Sequence, residues 1–152
     1  MNRLWLIALV ACGCTAKDNS FARMQERGQM VMGVDQYASA HVFEDLPDGG
    51  RIVLERSEPV DTADVTKIRA HMRDIENAFR AGDFTKPFQV HAGPVPGTAV
   101  MTARRAAIRY TASDRPRGGE VRITSADSTA VRAIHEFLAF QRGAHHAGSH
   151  EN

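Results

Sequence analysis

Residues 41–54 read HVFEDLPDGGRIVL, and residues 108–123 read IRYTASDRPRGGEVRI. These two stretches decide the fold, because they are imperfect copies of one another. Pro47 and Pro116 stand at the same distance before the glycine pairs Gly49-Gly50 and Gly118-Gly119. Proline presets one turn dihedral and the glycines can supply positive φ, which is hairpin chemistry. After the second turn, Val121, Arg122 and Ile123 alternate apolar and polar with the period of a half-buried strand. Ile52, Val53 and Leu54 are apolar throughout, as in a strand covered on both sides.

Each copy continues into a helix. Asp61 or Thr62 is placed to cap the first, and Gly82 to end it. Val65, Ile68, Met72, Ile75 and Phe79 recur at intervals of three and four and make one apolar stripe. Val131, Ile134 and Leu138, widened by Phe137, repeat it on a second helix that ends at Gly143. Two ββα units predict an α+β fold: a four-stranded antiparallel sheet with two helices on one face. The domain covers residues 39–142, with halves 39–82 and 107–142. A Pro- and Gly-rich linker, 83–106, joins them and holds a short helix at 99–106. Residues 12–38 read as a cysteine and tether with one helical turn around 21–27, and 143–152 as a disordered tail containing histidines.

Ahead of this body, Arg3 precedes an unbroken apolar run over residues 4–11, and Cys12 follows at once. A basic start and an apolar run too short to span a bilayer form a secretory signal, residues 1–11. LVAC at 9–12 resembles the lipobox of bacterial lipoproteins. The resemblance implies lipidation of Cys12 and, through several acyl chains, lasting attachment to the membrane. Gly13 stands where an inner-membrane retention signal has aspartate, so the resemblance points to the outer membrane, facing the periplasm. Secretion with cleavage nearby is the other reading, although no small-x-small site follows the apolar run. With Cys12 acylated, Cys14 is the one free thiol, so no internal disulfide is available, and the CGC segment is not a CxxC redox pair.

Composition narrows the partners. Without residues 1–11 the chain loses Arg3, leaving 18 basic against 18 acidic side chains. Such a balance lacks the basic face that nucleic-acid binding needs. Aromatic residues make up 7% of the chain and the single Trp, Trp5, lies in the signal, which argues against a surface that stacks sugars or bases.

Further motifs run through the body: GVDQ at 33–36 before His41, DGG at 48–50, IRAH at 68–71, GDF at 82–84, PFQVH at 87–91, PG at 96–97 and AIHEFLAFQ at 133–141. Together they resemble a family of small exported bacterial proteins over nearly the whole mature chain. The resemblance implies a fold unit and points to no particular activity. Some relatives bear an aspartate carbamoyltransferase label; this chain has no Ser-Thr-Arg-Thr-type phosphate-binding segment and is too short for that enzyme's two domains. Relatives often carry two adjacent histidines where this chain has His41-Val42.

Histidine is the enriched reactive type. His41, His71, His91 and His135 fall inside these motifs, and His145, His146 and His150 in the tail. Neutral imidazole is the commonest transition-metal ligand, and thioethers such as Met24, Met30 and Met32 suit Cu(I). The opposing reading is structural: His71 and His135 border apolar stripes, where a histidine more often donates one hydrogen bond. His91 lies in a loop-rich stretch, where function concentrates. No HExxH, paired CxxC or Gly-x-Ser-x-Gly pattern occurs. The expectation is a lipid-anchored envelope binding module and not an enzyme, with copper or zinc on histidine as its most concrete form. The alternatives are a structural lipoprotein with a protein partner in the envelope, and an enzyme using His91 and His41 as acid and base.

Overall fold

The computed structural model of the chain describes residues 15–33, 39–57 and 62–145. The signal, Cys12, Asp61, His146 and His150 lie outside them. In chain order the elements are α1 (Thr15–Met32), β1 (Ser39–Leu46), β2 (Gly49–Arg56), α2 (Thr62–Arg80), α3 (Thr85–His91), α4 (Thr98–Ala103), a 3-10 turn (Arg105–Ala107), β3 (Ile108–Arg115), β4 (Gly118–Ser125) and α5 (Ser128–His145). The strands form one antiparallel sheet in the order β1-β2-β4-β3. The α+β architecture expected from the paired hairpins is therefore present.

The order is palindromic because the two copies meet across a pseudo-two-fold axis. Ile52 and Val121 hold the same place in their copies and face each other on the central strands β2 and β4. At the strand ends, Arg56 N–H donates to Arg117 O at 2.9 Å, and Ser125 N–H to Asp48 O at 2.8 Å, the same bond made twice.

The glycine pairs have a different role from the one expected. The turns are Pro47-Asp48 and Pro116-Arg117, while the glycines begin β2 and β4. Only Gly49 among these four has a positive φ, 142°. Close approach of the neighbouring strand demands glycine at Gly49 and Gly118. A Cβ on Gly118 would lie 2.0 Å from Leu54 O, and one on Gly49 2.3 Å from Ile123 O.

Both long helices cover one sheet face, and each lies over the hairpin of the other copy. α2 packs on β3 and β4, and α5 on β1 and β2. Between helices and sheet sit Leu54, Ile68, Met72, Val121, Ile123, Ile134, Phe137 and Leu138, all essentially fully buried. Gly82, at φ 78°, closes α2 with Asp83 N–H returning to Ala78 O at 2.8 Å. Asp127 Oδ1 caps α5 by accepting the Thr129 N–H at 2.8 Å. The opposite sheet face carries charge, including Arg115 with Glu120 at 2.8 Å and Glu55 at 3.3 Å.

Three sequence expectations are corrected. The described part of the tether is an 18-residue helix, α1, that rests on α3; Arg27 Nε donates to Val90 O at 2.7 Å. The linker is largely helical, and its helix at 98–103 packs on α5. α5 does not stop at Gly143 but runs to His145, and the remainder of the expected tail, 146–152, lies outside the described residues. No helix among the described residues is long and apolar enough to cross a membrane.

Candidate functional site

One cavity of about 70 Å³ is lined by four histidines from four elements: His41 of β1, His71 of α2, His91 at the end of α3 and His145 at the end of α5. Val31 and Met32 of α1 and Gln141 of α5 also line it. Strand alternation puts His41 on the helix-covered face with Phe43. The extra helical residues after Gly143 are what bring His145 to the cavity.

The rings are close. His145 stands 5.2 Å from His41 and 5.2 Å from His91, centroid to centroid. Two imidazoles sharing a tetrahedral ion, with metal–nitrogen bonds of about 2.0–2.1 Å, hold their centroids about 5 Å apart. The donor atoms themselves are not yet gathered: among the described residues, no three His, Cys, Asp or Glu side chains form a ready metal cluster. Ring rotation would be needed to bring them onto one point.

Burial controls the charge of the site. Desolvation, aided by repulsion from His71, pushes His41 down to about 4. Desolvation and then Lys86 push His71 down to about 4, against the pull of Asp74. His145 falls to about 3 through desolvation and through His41 and His91. His91 is also lowered, by desolvation first, with its Gln141 bond opposing. All four rings are therefore neutral at neutral pH and keep a lone pair on one nitrogen.

Two hydrogen-bonding details sharpen this. His91 Nε2 meets Gln141 Oε1 at 2.8 Å. An amide oxygen only accepts, so Nε2 carries the proton and Nδ1 keeps the lone pair. An outer oxygen fixing the tautomer in this way is the usual support of a ligating histidine. His145 Nδ1 is buried with no hydrogen-bond partner among the described residues. Among the described residues Gln25 Oε1, Arg56 Nε, Tyr110 Oη and Arg115 Nε share that state, and of the five only His145 Nδ1 belongs to a cavity-lining side chain.

The pseudo-two-fold supplies an internal comparison. Tyr110 holds in β3 the place of His41 in β1, and Phe79 holds in α2 the place of His145 in α5. Tyr110 and Phe79 are 3% and 2% exposed and meet edge to face at 5.9 Å within the core, with Tyr110 Oη buried and without a partner among the described residues. Where one half of the fold fills this position with aromatic rings, the other half fills it with imidazoles.

His135 does not join them. Its Nε2–H donates to Leu46 O at 3.0 Å and Gly49 O at 2.9 Å, holding the first hairpin turn. Of the residues singled out in the sequence, His41, His71 and His91 come together with His145, formerly assigned to the tail. Met32 joins them, whereas Met24 is core and Met30 is 76% exposed. Gln141 was missed; its buried place on the apolar stripe of α5 was the available signal. Comparison with protein-family models, with curated proteins and with solved structures gives no match.

Proposed function

We propose that this chain is a cell-envelope binding module, lipid-anchored through Cys12, whose four-histidine cavity takes a transition-metal ion, copper or zinc. The observation that carries the reading is the replacement of the Tyr110–Phe79 core pair by His41 and His145 in the other half of a duplicated fold. Two half-buried imidazoles in place of a phenol and a phenyl ring bring more polar nitrogen to desolvate with no packing gain. Imidazoles lining a cavity of about 70 Å³ offset that cost only when they have something to bind. The cavity is too small for a drug-sized ligand and suits an ion with a water molecule. Acid–base chemistry is less well served, because a His41 held near 4 is far from the working pH that such catalysis favours.

The test uses the full chain with Cys12 and Cys14 changed to Ser and His146 and His150 to Ala, which removes competing thiols and tail imidazoles. Native mass spectrometry with elemental analysis should find one copper or zinc per chain, lost in His91→Ala and His145→Ala while circular dichroism stays unchanged. A chain that stays metal-free under titration refutes the reading. It would then favour the interaction protein, for which the exposed Met30 and Phe88, at 76% and 51%, offer a starting surface.

A further inference from the structure

We infer that the cavity selects a soft monovalent ion, Cu(I), over divalent zinc. This rests on the metal reading above and adds the charge and softness of the cargo.

The donors that surround the cavity are all neutral. His41, His71, His91 and His145 supply imidazole, and Met32 and the core residue Met72 supply thioethers. No Asp, Glu or Cys is among the described residues that line it. The one charged lining group is Lys86, a cation. Asp74, the carboxylate that acts on His71, lies 3.5 Å from Lys86 Nζ and is 65% exposed, outside the cavity.

Charge then discriminates. The cost of moving an ion from water into a poorly polarisable interior grows as the square of its charge, so a divalent ion meets about four times the penalty of a monovalent one. A protein that buries Zn(II) usually offsets that penalty with thiolates or carboxylates. None lines this cavity, and Lys86, paired with Asp74 at 3.5 Å, brings no negative charge to it. Softness acts in the same direction, because a thioether beside imidazoles suits Cu(I) and adds little for Zn(II). The last residue of α1 brings that sulfur to the cavity, which also gives this helix a purpose that its sparse apolar content does not.

The probes are Ag(I) and Zn(II), two closed-shell ions that differ in charge and softness and need no reductant. They are titrated separately, by calorimetry in a non-coordinating buffer, into the full chain with the cysteine and tail-histidine replacements described above. The expected result is one Ag(I) per chain, bound at least a hundredfold more tightly than Zn(II). Met32→Leu, nearly equal in volume, should weaken Ag(I) tenfold or more and leave Zn(II) unchanged. Zinc bound as tightly as silver would overturn the selection while leaving a metal site in place. If neither ion binds, the metal reading itself falls and this inference with it.

Discussion

His135 and Arg69 do the same work on opposite sides of the pseudo-two-fold axis. His135 on α5 donates to Leu46 O and Gly49 O, at 3.0 and 2.9 Å, across the first hairpin turn. Arg69 on α2 donates to Arg115 O and Gly118 O, at 2.8 and 3.2 Å, across the second. The four carbonyls are equivalent in pairs, so each helix clasps the turn of the other copy. The two halves are thereby locked as one unit, although their sequences use different side chains to do it.

This relationship yields the first prediction. His135→Ala leaves two turn carbonyls without their donor and should cost about 1–3 kcal/mol in urea unfolding. Metal stoichiometry should not change, because the ring is remote from the cavity. Loss of metal with unchanged stability would reverse the two roles and put His135 back among the ligands.

The glycines that open β4 should differ sharply in tolerance. Gly118→Ala drives a methyl to 2.0 Å from Leu54 O, a backbone atom that cannot yield without separating β2 from β4. Gly119→Ala meets Met72 Cγ at 3.0 Å and Ser113 O at 3.2 Å, contacts that need to give by only a few tenths of an ångström. The expected losses are on the order of 3 kcal/mol or more for Gly118→Ala and about 1 kcal/mol for Gly119→Ala. Guanidinium midpoints measured side by side decide it; equal losses would mean that the glycines serve the turn and not the sheet contact.

Much of this fold was legible because it is built from strong periodic signals. The stripe of Ile68, Met72 and Phe79 and the Pro-x-Gly-Gly turns encode α2 and both hairpins locally. α1 was not legible, since among its described side chains little beyond Met24 and Gln25 is buried and no apolar stripe marks it. α3 was hidden by Pro87, which breaks a helix interior but is tolerated in a first turn, where its missing N–H has no partner to lose. The site was half legible. His41, His71 and His91 are chemically conspicuous, but their meeting place depends on α5 running past Gly143, and glycine argues for an end there. His135 misled because a bifurcated bond to two carbonyls leaves no trace in sequence spacing.

Acid should destabilise this protein in a defined window. His71 is 5% exposed, and its pKa of about 4 lies below the ordinary 6.5 that the unfolded chain recovers. Above pH 6.5 neither state takes up the proton, and the full stability is present. Between 6.5 and 4 the unfolded chain binds protons that the folded one refuses, so stability falls as pH falls. His71 alone contributes on the order of 3 kcal/mol across that window. His41 acts with the same sign, but the two repel each other, so their effects do not add. Urea midpoints from pH 7.5 to 4 should drop steeply in the wild type and less steeply in His71→Leu. Parallel slopes would show that His71 is not the acid-sensitive group.

The strongest trade between stability and function is expected at His145. Its partner position across the two-fold is Phe79, an ordinary core ring, and its own Nδ1 is buried without a partner among the described residues. His145→Phe should therefore turn the cavity into the core that the other half already possesses. Removing an unsatisfied buried polar atom is expected to raise stability by about 1 kcal/mol at pH 7. The gain should grow as pH falls, because the wild-type imidazole, at about 3, resists protonation that the unfolded chain accepts. The same change removes the ring that stands 5.2 Å from both His41 and His91, so metal binding should be lost. Thermal melts and silver titration on one preparation test both halves of the claim. A variant that binds silver normally, or that is less stable than the wild type at every pH, would mean that His145 is held there for packing and that the cavity was not built around its lone pair.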